Sequence, residues 1–164
     1  MKSNNEFRIC PDTGLKFHRP AEALIKANAV AGVVFLLIGG VLGIGVGLTR
    51  WPEVHLLQAN MFYQVLTAHG LNVLIFWMIF FEMAVIHFCS AVLLGCRIAT
   101  PRIGWVAFAL MVIGALLNNY AVLWKSNSSG MMTSYVPVPA ETMFYVGLVP
   151  VSYTNTNMPQ GHAV

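Results

Sequence analysis

The sequence predicts an all-α integral membrane protein, and three observations carry that prediction. First, 57% of the 164 residues are hydrophobic and only 9% are charged, with a mean hydropathy of +0.70. A water-soluble domain carries about 25% charged residues; a chain with so few has too little polar surface to cover a soluble globule. Second, the apolar residues fall into runs of bilayer length. Third, charges and prolines bracket those runs and do not interrupt them. Three transmembrane helices and an aborted fourth follow from this pattern.

The first span is Ala27 to Thr49, 23 residues without a charge between Lys26 and Arg50. About 20 apolar residues suffice to cross the hydrocarbon core as a helix. The polar segment 1–26 before it is long for a secretory signal and shows no small-residue cleavage site, so the helix is expected to be retained. Gly39, Gly43 and Gly47 recur at four-residue spacing and predict a smooth face for close helix packing. The second run, Met61 to Cys96, has Glu82 as its only charge. It exceeds one bilayer thickness and should tilt or project. Arg97 to Arg102 ends it with two charges and a proline, and Ile103 to Trp124 supplies the third span, stopped by Lys125.

Basic residues set the expected orientation. Lys2, Arg8, Lys16, Arg19, Lys26, Arg97 and Arg102 fall on one side, Arg50 and Lys125 on the other. The positive-inside rule then places the amino terminus in the cytoplasm, in a bacterial or archaeal plasma membrane more readily than a mitochondrial one. The net charge of +3 is too small to suggest nucleic-acid binding. Beyond Lys125, Ser126 to Gly130 reads as a polar turn and Tyr135 to Pro139 as extended chain, since residues before proline avoid the helical region. Met143 to Val149 begins a fourth span that is expected to stop at Pro150, ahead of a polar tail. The implied organisation is a cytoplasmic segment 1–26, a transmembrane region 27–149 and a departing tail 150–164.

Cys10, Cys89 and Cys96 do not have zinc spacing, and three cannot pair completely; Cys10 with His18 makes only two candidate ligands. The informative side chains lie within the second span, where ionisable groups are costly and point to function. These are His69, Glu82 and His87. His69 and His87 are 18 residues apart, five full turns at 100° per residue, so they share a face with Asn72, Phe76, Phe80 and Met83. That stripe suits either a haem seat, with apolar rings flanking a porphyrin and imidazole on iron, or ordinary helix packing. Glu82 points away from His69, as a proton-handling carboxylate or a neutral group bonded to a neighbour. His87 is placed near the cytoplasmic interface.

The segment Phe62-Tyr63-Gln64-Val65-Leu66-Thr67-Ala68-His69-Gly70, at the outer start of an inward-running second helix, resembles the Thr-x-His-Gly signature of haem-copper terminal oxidase subunit I. Supporting pieces are the basic turn Arg97 to Arg102, Asn119-Tyr120 at the end of the third span, and Met132 to Pro137, similar to the family's Tyr-x-Pro loop. Together they cover about residues 20–149. The resemblance implies that His69 is an axial ligand of a low-spin haem, a- or b-type, in a twelve-helix-type core. Electrons from cytochrome c or quinol would pass through that haem to a high-spin haem–copper pair, where oxygen is reduced with proton movement. Other oxidase subunits would be partners.

The sequence also departs from the family. After His87 only His162 remains, so one chain does not supply the second haem ligand or the copper histidines. The expectation is an amino-terminal fragment, inactive alone, completed by the remaining helices of subunit I or by a second chain that supplies them. Two other classes compete. A dimeric b-type cytochrome would use His69 and His87 on separate haems, since about 27 Å separates them along the helix. A non-catalytic membrane assembly protein would use the glycine face.

Overall fold

The computed structural model describes residues 7–95, 98, 100–125 and 142–156. The sequence-predicted turn Ser126–Gly130, the Tyr135–Pro139 segment, the Met132–Pro137 motif, Arg97, Cys96 and His162 lie outside the described residues.

Among the described residues, three helices are long and apolar enough to cross a membrane: Arg19–Arg50, Ala59–Leu93 and Pro101–Trp124. A fourth, Thr142–Thr156, is shorter. The architecture is all-α and membrane-spanning, as the composition requires. One addition precedes it: a two-stranded antiparallel hairpin, Phe7–Ile9 against Lys16–His18. Pro11-Asp12-Thr13-Gly14 is ordinary turn chemistry, with Gly14 at φ +67° and its N–H donating to the Cys10 carbonyl. The first helix also starts eight residues earlier than the apolar run, because Pro20 sits in its first turn, where a missing N–H costs nothing.

The second helix is continuous over 35 residues but not uniform. It winds as α over Ala59–Gly70, as π over Leu71–Phe76, as α again over Trp77–Phe88, and as π over Cys89–Leu93. Trp77 N–H bonds to Asn72 O, five residues back, which is the signature of the wider turn. It ends before Gly95, whose φ of +64° is a left-handed conformation that costs glycine nothing.

The fourth helix does not stop at Pro150. It runs through the proline to Thr156. Proline removes one N–H and crowds the preceding turn, yet the segment is held by the third helix. Gly114 and Gly147 bring the two backbones together: a Cβ built on Gly114 would lie 2.5 Å from the Gly147 carbonyl oxygen and 3.5 Å from Pro150 Cβ.

The core lies between the first three helices. Phe35 stacks on Phe80 with centroids 5.2 Å apart and meets Phe76 at 5.6 Å. Leu71, Phe76, Phe80, Met83 and Met111 are fully buried around them. Apolar packing of this kind does not by itself distinguish one helix from another in lipid, which is equally apolar. The specificity comes from small residues and polar bonds.

Candidate functional site

The first and second helices run antiparallel and touch through glycine. A Cβ on Gly32 would sit 3.6 Å from Phe80 Cβ, one on Gly39 would sit 2.5 Å from Val73 Cγ2, and one on Gly43 would sit 2.8 Å from His69 Cε1. Gly39 and Gly43 therefore form the packing face that the sequence predicted, with a partner inside the same chain. Gly47 does not belong to it, because a Cβ there would meet nothing within 4 Å among the described residues. Gly32, seven residues before Gly39, takes its place, a spacing that returns to the same side of a helix after two turns.

His69 lies half-buried against this face. Its Nδ1 is 2.7 Å from the Gly39 carbonyl oxygen. A carbonyl only accepts, so Nδ1 is the donor and carries the proton. In the neutral ring the lone pair is then on Nε2, which makes no hydrogen bond among the described residues. An imidazole held at Nδ1 by a backbone carbonyl, with Nε2 available, is the arrangement that metal-ligating histidines use.

One turn further along, Asn72 and Asn119 pair across the second and third helices. Asn72 Nδ2 donates to Asn119 Oδ1 at 2.6 Å, and Asn119 Nδ2 donates back to Asn72 Oδ1 at 3.3 Å. The neighbouring Asn118, fully buried, faces the other way. Its amide nitrogen donates to Phe144 O and its oxygen accepts from Leu148 N–H, both at 3.1 Å.

The structure separates the other sequence-predicted residues from His69. Phe76, Phe80 and Met83 are packed into protein, so the stripe beside the histidine is core and does not present an open seat for a porphyrin; Phe35 of the first helix fills it. His87 is buried in the bundle, and its Nε2 has no hydrogen-bond partner among the described residues. Glu82 is exposed and makes no ion pair among the described residues. Cys10 and Cys89 are free thiols. Cys10 lies in the hairpin turn, where the Thr13 hydroxyl and then the backbone at Asp12 and Thr13 lower its pKa below the ordinary thiol value. No three His, Cys, Asp or Glu side chains converge among the described residues.

Haem fits this site as far as its axial ligand is concerned: one imidazole is oriented by a carbonyl and keeps a free nitrogen. The ring itself must be enclosed by groups other than the Phe76–Phe80 stripe. Sequence reasoning missed Asn118 and Asn119 as structural partners, although two adjacent amides in an otherwise uncharged span are a readable signal that bonds cross between helices there.

The fold defines a multi-pass membrane protein, with His69 half-buried against its first helix. The chain belongs to the family described as Cytochrome C and Quinol oxidase polypeptide I, whose model matches residues 23–157. Among curated proteins it is similar to Quinol oxidase subunit 1 of Bacillus subtilis strain 168 and of Bacillus spizizenii, at 26% identity over 129 residues in each case. That alignment covers 73% of this chain and 20% of each relative, so the chain spans about a fifth of their length. No solved structure matches it.

Proposed function

We propose that this chain supplies the first helices of a terminal oxidase core and that His69 is an axial ligand of a low-spin haem there. The observation that carries the proposal is the Nδ1 to Gly39 O bond, which fixes the ring and leaves Nε2 as the ligating atom. Bound low-spin haem supplies reversible one-electron transfer. The chain's own contribution is to hold the imidazole in one tautomer, to keep it against Gly43 so that it does not rotate, and to bury the neighbouring surface under Phe35, Phe76 and Phe80.

The second axial ligand, the high-spin haem and the copper ligands belong in this reading to further helices, from the same subunit or a second chain. The donor is cytochrome c or quinol, and the quinol oxidase relatives favour quinol. With the amino terminus in the cytoplasm, His69 lies toward the outer face of the membrane. Alone the chain is inactive in oxygen reduction.

A reduced-minus-oxidised visible spectrum of the assembled oxidase, beside its His69→Ala variant, tests the assignment. Loss of the low-spin band in the variant is expected. A band of unchanged position and intensity would sink the assignment of His69. The same spectrum of the chain by itself separates two versions of the reading. A band there means the chain finds a ligand pair alone, and no band means that the partner ligand comes from elsewhere.

A further inference from the structure

We propose that the reciprocal amide pair of Asn72 and Asn119 is a positioning device for His69, setting the rotation of the second helix at the point where its winding changes. The proposal rests on the reading of His69 as a ligand whose Nε2 must be aimed.

The second helix leaves α winding at Leu71, two residues after His69. At the junction the Leu71 N–H is shared between the Ala68 and Thr67 carbonyls. Beyond Leu71 the hydrogen bonding widens, with the Trp77 N–H reaching the Asn72 carbonyl five residues back. Where the switch occurs therefore decides which way everything beyond it faces relative to His69. A π segment inside an apolar helix has no side-chain preference that fixes its start, and such segments concentrate at functional sites.

Asn72 supplies the fixed point. Its Nδ2 reaches back to Ala68 O at 2.7 Å, a carbonyl at the junction that the Leu71 N–H also reaches. The same amide reaches across to Asn119. Asn119 repeats the arrangement on the third helix, where its Nδ2 donates to Ala115 O at 2.9 Å and π winding follows from Ala121. Each amide thus ties its own helix, at the edge of a π segment, to the other helix.

The same stretch of the second helix is also held by Gly39. A Cβ built there would sit 3.1 Å from Asn72 Cβ, while the Gly39 carbonyl accepts the hydrogen bond from His69 Nδ1. His69 and Asn72 stand three residues apart, on adjacent turns. They are held from the first helix through Gly39 and from the third through Asn119. If the Asn119 bond is released, the second helix can rotate at the junction, and the 2.7 Å contact at Nδ1 is the first to suffer.

Helix association alone would also explain an intramembrane amide pair, so the test must read the imidazole. In the full chain, labelled with 15N-histidine and reconstituted in lipid, His69 is assigned by difference from His69→Gln. The wild-type chain is expected to show His69 with Nδ1 protonated and Nε2 bare. In Asn119→Leu and Asn72→Leu, the ratio of Nδ1-protonated to Nε2-protonated ring falls about tenfold, the size expected when one hydrogen bond is lost. The double variant replaces both amides by apolar groups of the same branching, so that no amide is left unpaired. It too shows the mixed ring, and it decides the matter if either single variant fails to fold. Asn118→Leu weakens the contact with the fourth helix and leaves the His69 ratio unchanged.

A His69 ring that stays Nδ1-protonated in the double variant overturns the proposal and reduces the pair to helix glue. The ligand reading fails by a different result, a low-spin band that survives His69→Ala. The tautomer ratio needs no haem, so the two failures are distinguishable.

Discussion

Two helix contacts in this molecule use the same parts to different ends. Between the first and second helices, Gly39 and Gly43 bring backbone close and His69 bonds to a facing carbonyl. Between the third and fourth, Gly114 and Gly147 bring backbone close and Asn118 bonds to the facing helix. In the second contact both ends of the amide are consumed, nitrogen on Phe144 O and oxygen on Leu148 N–H. In the first, one nitrogen of the imidazole is consumed and the other is left. The Asn118 contact is complete and purely structural. The His69 contact leaves Nε2 without a bond among the described residues, and the proposed ligand role would use that nitrogen. Residue type decides the difference, since an amide closes on itself across one helical turn while an imidazole has two separated nitrogens.

Substitutions at Gly114, Gly43, Asn118 and Gly47 test that contrast. The largest effect is expected at Gly114→Val, where the new side chain would meet the Gly147 backbone oxygen, which cannot move aside without separating the helices. A loss of about 3 kcal/mol in unfolding free energy in mixed micelles, at the upper end for overpacking, is the expected outcome. A loss below about 1 kcal/mol would mean that this contact is looser than described.

Gly43→Ala comes next. Its methyl would lie 2.8 Å from His69 Cε1, so the ring must shift or the helices must part. About 1–2 kcal/mol of destabilisation is expected, together with a moved or weakened low-spin haem band in the assembled oxidase. Destabilisation with an unaltered band would separate packing from ligation. Asn118→Leu leaves the Phe144 carbonyl and Leu148 N–H without their side-chain partner, and about 1–2 kcal/mol of stability is expected to go. The haem band should stay where it is, because no bond of Asn118 reaches His69.

The smallest effect is expected at Gly47→Ala. Open space surrounds that position, and alanine favours helix over glycine, so stability should change by no more than about 1 kcal/mol and in the stabilising direction. A clear loss there would restore Gly47 to a packing face with a partner from outside the described residues.

Much of this was legible in the amino-acid sequence. The three spans follow from run length and from charge placement, because the bilayer imposes both. His69 stood out because an ionisable group in an apolar span is costly, and because Thr67-Ala68-His69-Gly70 matches a family signature. Other features were not legible. The stripe of Phe76 and Phe80 reads equally as a haem seat or as core until Phe35 is seen stacked on it. Pro150 reads as a stop until Gly114 is seen holding the helix past it. The π segments are invisible to an argument that assumes 100° per residue throughout, although the buried stripe from Asn72 to His87 survives the change of winding.

The sequence by itself determined that this chain spans a membrane, how many long helices it has, and which imidazole is the candidate ligand. Those properties depend on the transfer of side chains from water to hydrocarbon, which is local and additive along the chain. Only the tertiary structure decided which glycines meet a partner, which nitrogen of His69 carries the proton, and that Asn72 and Asn119 form a pair. In lipid the apolar faces of helices are nearly equivalent. Those choices rest on a few short contacts between residues 30 to 47 positions apart, which no local pattern records.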